Sequence, residues 1–391
     1  MHPTFAARID ADLTPNPLSR ALDRRRAAGG RILDLTASNP TQAGFAYPEA
    51  EILAALASAG ALRYEPDPRG LPIARAAIAG YYASRGERVA EDDVFVTAST
   101  SEAYALLFKL LAAPGDEVLI PAPGYPLLEM LAALESVTAV RYPLVPAEGG
   151  WRIDRAALER AITPRTRAVV VVHPNNPTGS YVAADERAWL SEVCARRGLP
   201  IVADEVFLDY ARDDLREASF VTTQGALAFS LSGLSKLAGL PQMKLGWIAL
   251  AGPPALRREA GARLELIADA YLSAGAPAQH AAPALLDLRG GVQAQIRARL
   301  TENELALRER CASAPGVGAL PRDGGWYAVL ELPEDTDEEA LCVSLVEAHG
   351  VLVHPGFFFD FARAGVLVVS LLLRPDEFRE GIERVLACAA R

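Results

Sequence analysis

The chain has 391 residues, 51 % of them hydrophobic and 23 % charged, the composition of an ordinary folded protein of two or three domains, which excludes disordered, collagen-like and coiled-coil chains. A formal charge of −10 argues against a nucleic-acid coat or an anionic membrane partner. No apolar run has membrane-spanning length, the opening stretch lacks a signal-peptide core, and four cysteines without CxxC spacing form neither a zinc pattern nor a disulfide framework, so no metal is expected and the chain fits a reducing cytoplasm.

Residues 1–44 read as irregular, with Pro15, Pro17 and the loop Ala37-Ser38-Asn39-Pro40. Residues 51–62 and 70–85 repeat apolar positions at helical spacing. Strand and helix then alternate. Strands are expected at 94–97, 117–121, 167–173, 199–203, 226–231 and 245–250, and helices at 101–113, 126–134 and 186–197. Such alternation implies a mostly parallel α/β sheet with helices on both faces. Beyond about residue 284 the pattern changes. A long connector helix is expected over 290–312. Short pieces follow at 325–332, 337–349, 351–354, 366–373 and 376–390, which suggest a smaller α+β domain.

Open α/β sheets place ligands in the loops after their strands, and the loops here hold small or polar residues. In Thr97-Ala98-Ser99-Thr100-Ser101-Glu102-Ala103, hydroxylated residues at a helix start suit a phosphate, although taken alone plain N-capping is the commoner reason for them. Pro123-Gly124-Tyr125-Pro126 presents an aromatic ring rigidly, either to a planar ligand or as a plug for the turn. His173-Pro174-Asn175-Asn176-Pro177-Thr178-Gly179 is a rigid turn able to aim an amide. Asp204-Glu205 follows a buried strand, so Asp204 needs a partner: a protonated ring nitrogen or an arginine. Of 39 basic residues only Lys109, Lys236 and Lys244 are lysines. Lys236 sits in the Ser/Gly-rich stretch Ser232-Gly233-Leu234-Ser235-Lys236, where desolvation makes an amine nucleophilic. Lys109 lies in a helical run and reads as a surface or boundary residue.

The ordered set Tyr64…Gly70, Thr97–Ala103, Tyr125-Pro126, Asn176-Pro177-Thr178-Gly179, Asp204-Glu205 and Ser235-Lys236 resembles the fold-type I pyridoxal-phosphate (PLP) enzymes of the class I/II aminotransferase superfamily, over nearly the whole chain. The resemblance implies a PLP-transferase-like large domain at 45–285 and a small α+β domain built from both termini, 1–44 and 286–391. It implies Lys236 as the Schiff-base lysine and proton shuttle, and Asp204 as the partner of the pyridine nitrogen. Asn176 matches the donor to the ring oxygen and Tyr125 the stacking aromatic. Ser99, Thr100 and Ser101 fall in the phosphate cup. Ser235 adjoins Lys236, and Lys244 stands where a phosphate-binding arginine is usual. Tyr64 matches a tyrosine that reaches a neighbouring subunit, implying a homodimer with shared sites.

Three departures from the family pattern stand out. Phe207 replaces a tyrosine. Gly233 replaces a hydroxyl residue. Val368 replaces the arginine that grips a substrate carboxylate. Arg374 and Arg322 are the stand-ins, and Asn39 and His354 belong to stretches that line the pocket. The resulting expectation is ping-pong transfer of an amino group from a small-molecule donor to an oxo acid or carbonyl acceptor, without nucleic-acid or membrane partners. A PLP-dependent lyase, decarboxylase or racemase is the alternative. A regulator on the same fold ranks last, because only about 40 residues precede the body and the charge is acidic.

Overall fold

The structure, a computed structural model, describes residues 6, 8, 13–147, 150–212 and 217–389. The expected helix end at Ala390 and most of the expected irregular stretch before residue 13 lie outside them.

Fourteen strands occur among these residues: β1 (Leu33–Asp34), β2 (Val94–Thr97), β3 (Glu117–Ala122), β4 (Thr138–Ala147), β5 (Gly150–Ile153), β6 (Thr166–Val172), β7 (Ile201–Asp204), β8 (Ala228–Gly233), β9 (Gly246–Ala251), β10 (Gly318–Ala319), β11 (Tyr327–Glu331), β12 (Val351–Leu352), β13 (His354–Pro355) and β14 (Val366–Ser370). Eight form one sheet in the order β2-β9-β8-β7-β6-β3-β4-β5. The strands β8, β7, β6, β3 and β4 pair in parallel, and only β9 and β5 run against the rest. The continuous apolar run of β6 is buried along nearly its whole length, as a strand covered on both faces must be. One face packs on the helices Thr100–Leu111, Leu127–Leu134 and Pro254–Asp269 through Tyr104, Phe108, Leu128 and Leu264. The other carries Trp247, Ala249, Val169 and Val171 under further helices.

A second, antiparallel sheet has the order β10-β11-β14-β13. Its core joins the helix Pro375–Ala389 to Leu33 and Leu35, and β1 pairs in parallel with β12. The two ends of the chain therefore close on one another.

Several elements depart from the sequence expectation. Residues read as irregular contain the helix Pro17–Ala27, opened by the Asn16 side chain and Pro17 at its first turn. Proline there starts a helix rather than breaking it, and only Leu18 and Ala21 are buried, too few for a periodic signal. The expected helix over 51–62 stops at Leu56, because Ser58 caps a new turn, Ala59–Leu62. The connector helix begins at Ala276 and runs 37 residues through Pro283 and the Gly290-Gly291 pair. Burial of Ala278, Ala281, Ala282, Leu285 and Leu286 beside Ile78 and Tyr82 outweighs the local propensity. The strands β4 and β5 and the helix Arg155–Ala161 were not expected. β4 is mostly exposed, so it lacks the apolar run that marks the buried strands.

Candidate active site

The loops that leave β2, β3, β6, β7 and β8 all open at the same edge of the sheet. The chain winds outward in opposite directions from the β3–β6 pair, and the crevice at such a point is where these sheets take ligands.

At the end of β2 the helix Thr100–Leu111 begins. Ser99 is its N-cap, its hydroxyl accepting from the Glu102 N–H at 3.2 Å. Ser99 also offers its carbonyl to the Ala103 N–H, and Glu102 accepts from the Ala98 N–H at 2.6 Å. The capping reading of Ser99 is thus real. It leaves the first-turn N–H groups of Thr100 and Ser101 for an anion, at the positive end of a twelve-residue helix. Backbones crowd here. A Cβ on Gly246 would lie 3.0 Å from the Ser99 carbonyl carbon, and one on Gly233 would lie 2.9 Å from the Gly246 Cα. Gly233 therefore has a steric cause, and a hydroxyl side chain there would push β8 from β9. Lys244, exposed and in the left-handed region, precedes β9 by two residues.

Lys236 lies in a one-turn helix, Leu234–Leu237, directly after β8. Its Nζ stands 5.0 Å from the Trp326 ring centroid and 5.8 Å from that of Phe207. Burial pushes its pKa from 10.5 down to about 8, against the attraction of Asp204. The other two lysines differ: Lys109 is paired with Glu135 at 2.5 Å, and Lys244 is exposed.

Asp204 ends β7 and is buried. It accepts from the Tyr104 hydroxyl at 3.1 Å and from the Val206 N–H at 3.2 Å. Burial pushes its pKa up to about 6, with those hydrogen bonds and Lys236 acting the other way. Acid and amine thus shift toward their neutral forms for the same reason: desolvation exceeds their mutual attraction. No arginine pairs with Asp204 among the described residues: its hydrogen-bond donors are Tyr104 and the Val206 N–H, with Lys236 near enough to attract it. Tyr104 went unnoticed in the sequence because it sits in an apolar helical stretch and reads as core.

The two asparagines after β6 separate cleanly. Asn175 belongs to the turn, its Nδ2 donating to the Pro123 carbonyl at 3.1 Å and to Thr178 Oγ1 at 3.0 Å. Asn176 is buried, and its side chain makes no hydrogen bond among the described residues, so its Nδ2 is uncommitted where that of Asn175 is spent; the Oδ1 of each is unpartnered. His173 is a neutral core residue: Nδ1 accepts from the Val182 N–H at 3.0 Å, and burial pushes its pKa down to about 3. Gly179 closes the turn at φ +71°, where a Cβ would meet the Gly324 carbonyl oxygen at 2.4 Å and the Arg322 Cβ at 3.0 Å.

Arg322 is not the free cation that was expected. It is buried, with Nη2 on Glu304 at 2.5 Å and Nη1 on the Gly324 and Gly325 carbonyls, each at 3.1 Å. Gly324 in turn donates to the Gly179 carbonyl at 2.9 Å. Arg322 therefore holds the loop that backs the Asn176 turn. Arg374 behaves differently. It is exposed, and its guanidinium makes no ion pair among the described residues. It shares a cavity of about 210 Å³ with Ala37, Asn39, Asp34 and Glu377. Asn39 itself caps a short turn through Thr41.

Tyr125 is 37 % exposed and close enough to Asp204 and Tyr327 for each to help raise its pKa, after burial. Phe207 is buried edge-on to Trp326, centroids 5.2 Å apart. The Tyr210 hydroxyl, three residues on, donates to the Lys236 carbonyl at 2.7 Å. Ser235 is half-buried beside Lys236. Val368 is fully buried among Val329, Val366 and Phe359, so no cation reaches the site from that position. His354 lies opposite Val368 on β13, and burial lowers its pKa. Tyr64 is 83 % exposed, away from this cluster on the described chain.

These residues fit a phosphorylated pyridine aldehyde. Two backbone N–H groups at a helix start suit the phosphate, a buried carboxylate suits a cationic ring nitrogen, the uncommitted Nδ2 donor of Asn176 suits the ring oxygen, and a partly deprotonated lysine suits the aldehyde. A doubly wound sheet with an amine and a carboxylate at its crevice defines a cofactor enzyme of carbonyl–amine chemistry. The comparisons agree. The model of the family "Aminotransferase class I and II" matches residues 31–385, and the chain belongs to that family: it is a PLP-dependent aminotransferase. A glutamate-pyruvate aminotransferase of Escherichia coli is 28 % identical, over 94 % of this chain and 93 % of that one. An alanine aminotransferase of Mycobacterium tuberculosis is 30 % identical, over 94 % and 88 %. The crystal structure of an Escherichia coli aminotransferase superposes with a TM-score of 0.87 at 27 % identity, covering 98 % of each chain.

Proposed function

We propose that this aminotransferase binds its cofactor through Lys236, Asp204, Asn176, Tyr125 and the Thr100 and Ser101 N–H groups, and works by a ping-pong cycle. One observation carries this reading. Of the three lysines, only Lys236 is withdrawn from solvent with no salt bridge, and it faces a buried carboxylate. When bound, PLP supplies an electron sink for the bond broken at the substrate carbon. The chain's own residues do the rest. Asp204, kept in place by Tyr104, gives a cationic ring nitrogen its counter-charge. Lys236, with its pKa lowered, accepts a proton at Nζ near neutral pH and returns it to a second atom. Phe207 and Trp326 keep water from that amine. Lys244 and the hydroxyls of Ser99 and Ser101 supply further contacts for the phosphate.

The guanidinium of Arg374, unpaired among the described residues and beside Asn39, supports Arg374 as the holder of a substrate carboxylate, with His354 close to Asp34 of the same cavity. The names of the relatives make glutamate, alanine and pyruvate the first substrates to assay. The exposed Leu62 and Tyr64, next to a cavity of about 220 Å³ lined by Asp67, Tyr271 and Gln279, support a homodimer in which this edge is covered by a second copy. The β1–β12 pairing supports a small domain built from 1–44 and 286–391, with its boundary inside the long helix. Free thiols at all four cysteines support a cytoplasmic setting, and no helix among the described residues is long and apolar enough to cross a membrane.

The test has two arms. Borohydride reduction of the holoenzyme followed by peptide mapping should label Lys236 alone; label on Lys109 or Lys244 refutes the assignment. Amino donor added without acceptor should release one equivalent of oxo acid per site and stop. Continuous release would refute transamination.

A further inference from the structure

A helix leaves its last carbonyls without partners, and the one-turn helix that bears Lys236 has almost no body to absorb them. Side chains from three distant parts of the chain address those carbonyls. The Tyr210 hydroxyl donates to the Lys236 carbonyl at 2.7 Å, which also accepts from the Gly239 N–H at 3.2 Å. Gln293, from the long helix, donates to the Leu237 carbonyl at 2.8 Å. The Tyr47 hydroxyl donates to the Gly239 carbonyl at 2.7 Å.

Tyr210 is the best placed of the three. It is fully buried and its ring stands 5.1 Å from Trp326, the same ring that lies against the lysine amine. It is six residues beyond Asp204 in one loop, which also carries Phe207. That loop therefore presents the carboxylate, one ring of the lysine's apolar collar and the donor to the lysine's own carbonyl. The adjacent Asp209 ties the loop down, accepting from Gln293 Nε2 and from the Tyr81 hydroxyl, each at 3.1 Å, and pairing with Arg85.

We propose that Tyr210 is a positioning residue of the transamination reaction: its hydroxyl fixes the Lys236 backbone from which the amine swings, and Gln293 is the second holder. The proposal rests on the reading of Lys236 given above. A reacting amine that must reach two atoms in turn depends on a fixed pivot, and small misplacements are costly in rate. Removing the donor also leaves the negative end of the Lys236 carbonyl less compensated near its nitrogen, which favours the protonated form.

The experiment uses the holoenzyme and Tyr210→Phe, which keeps the ring against Trp326. The control is Tyr142→Phe, which deletes another buried hydroxyl donating to a carbonyl, that of Val170 at 2.8 Å, on β4 and outside the Lys236 helix and the loop that holds it. For Tyr210→Phe, kcat should fall at least about fivefold with the donor KM unchanged within about twofold, and the pH midpoint of the cofactor's visible band should move up. Tyr142→Phe should lower the melting temperature and leave both quantities at wild type. Wild-type kcat and pH midpoint in Tyr210→Phe, or the same changes in both variants, overturn the proposal. If Tyr210→Phe does not fold, Gln293→Met is read by the same two quantities, and wild-type values there overturn it equally. Borohydride labelling of the wild type separates the two levels: label away from Lys236 overturns the reading and the proposal together, whereas label on Lys236 with an indifferent Tyr210→Phe overturns the proposal alone.

Discussion

Replacing Arg322 by methionine distinguishes a residue that holds the fold from one that holds the substrate. The methionine keeps an aliphatic stem against Gly179 and removes the guanidinium. Three contacts disappear: the 2.5 Å bond to Glu304 and the two 3.1 Å bonds to the Gly324 and Gly325 carbonyls. Glu304 is not stranded, because Arg308 still reaches its other oxygen at 2.7 Å. The loss is therefore one charge-assisted bond plus two under-satisfied carbonyls, together about 3 kcal/mol. It falls short of the larger penalty for an unpaired buried charge. Urea unfolding of the apoprotein should read that loss directly. In transamination assays below the unfolding range, the donor KM should stay within about twofold of wild type. The reasoning is refuted if Arg322→Met keeps wild-type stability while KM rises by two orders of magnitude, for Arg322 would then be the carboxylate receptor.

Four further outcomes are expected. In the apoprotein, Lys236→Met should stabilise the fold by roughly 3 kcal/mol below pH 8. There the ammonium is charged in both states and carries its full burial penalty; between about 8 and 10.5 only the unfolded chain keeps the proton, so the gain should shrink to nothing. Thermal unfolding at pH 7 and pH 10.5 checks this, and a gain independent of pH contradicts it. Tyr104→Phe removes a donor that lowers the pKa of Asp204, so the acid limb of kcat/KM should move up by about one to two pH units, and an unmoved limb would place Asp204 outside the reaction. Phe207→Tyr should lower the pH midpoint of the cofactor's visible band by adding a donor near the ring oxygen, and an upward move would misplace Phe207. Arg374→Ala should raise the KM of an amino acid far more than that of its decarboxylated amine; an unchanged ratio means the carboxylate is held elsewhere.

The alternation of apolar runs with helical periods identified the α/β sheet, and the small or polar residues after β2, β3, β6, β7 and β8 marked the site. Both signals are local. A strand buried on two faces has to be apolar, and a ligand-facing loop needs residues that turn tightly or donate hydrogen bonds. Scarcity helped as well: with three lysines in the chain, Lys236 stood out before any geometry. Local pattern misled where burial was slight or came from afar. The helix Pro17–Ala27 buries two residues and shows no period. The long helix passes through Pro283 and two glycines because its early turns pack on another helix.

What the tertiary structure decided is which polar groups are already engaged. Arg322 and Arg374 are equivalent as letters, yet one is locked between Glu304 and two carbonyls and the other makes no ion pair among the described residues. Asn175 and Asn176 are neighbours, yet one spends its amide N–H groups on closing a turn and the other makes no side-chain hydrogen bond among the described residues. Tyr104 reads as core and Tyr210 as one residue of a loop, yet one donates to Asp204 and the other to the Lys236 carbonyl, from a position distant in sequence or on the far side of a loop. Hydrogen bonds depend on distance and direction, which residue order does not encode across 30 or 100 positions, so only the folded chain could assign them.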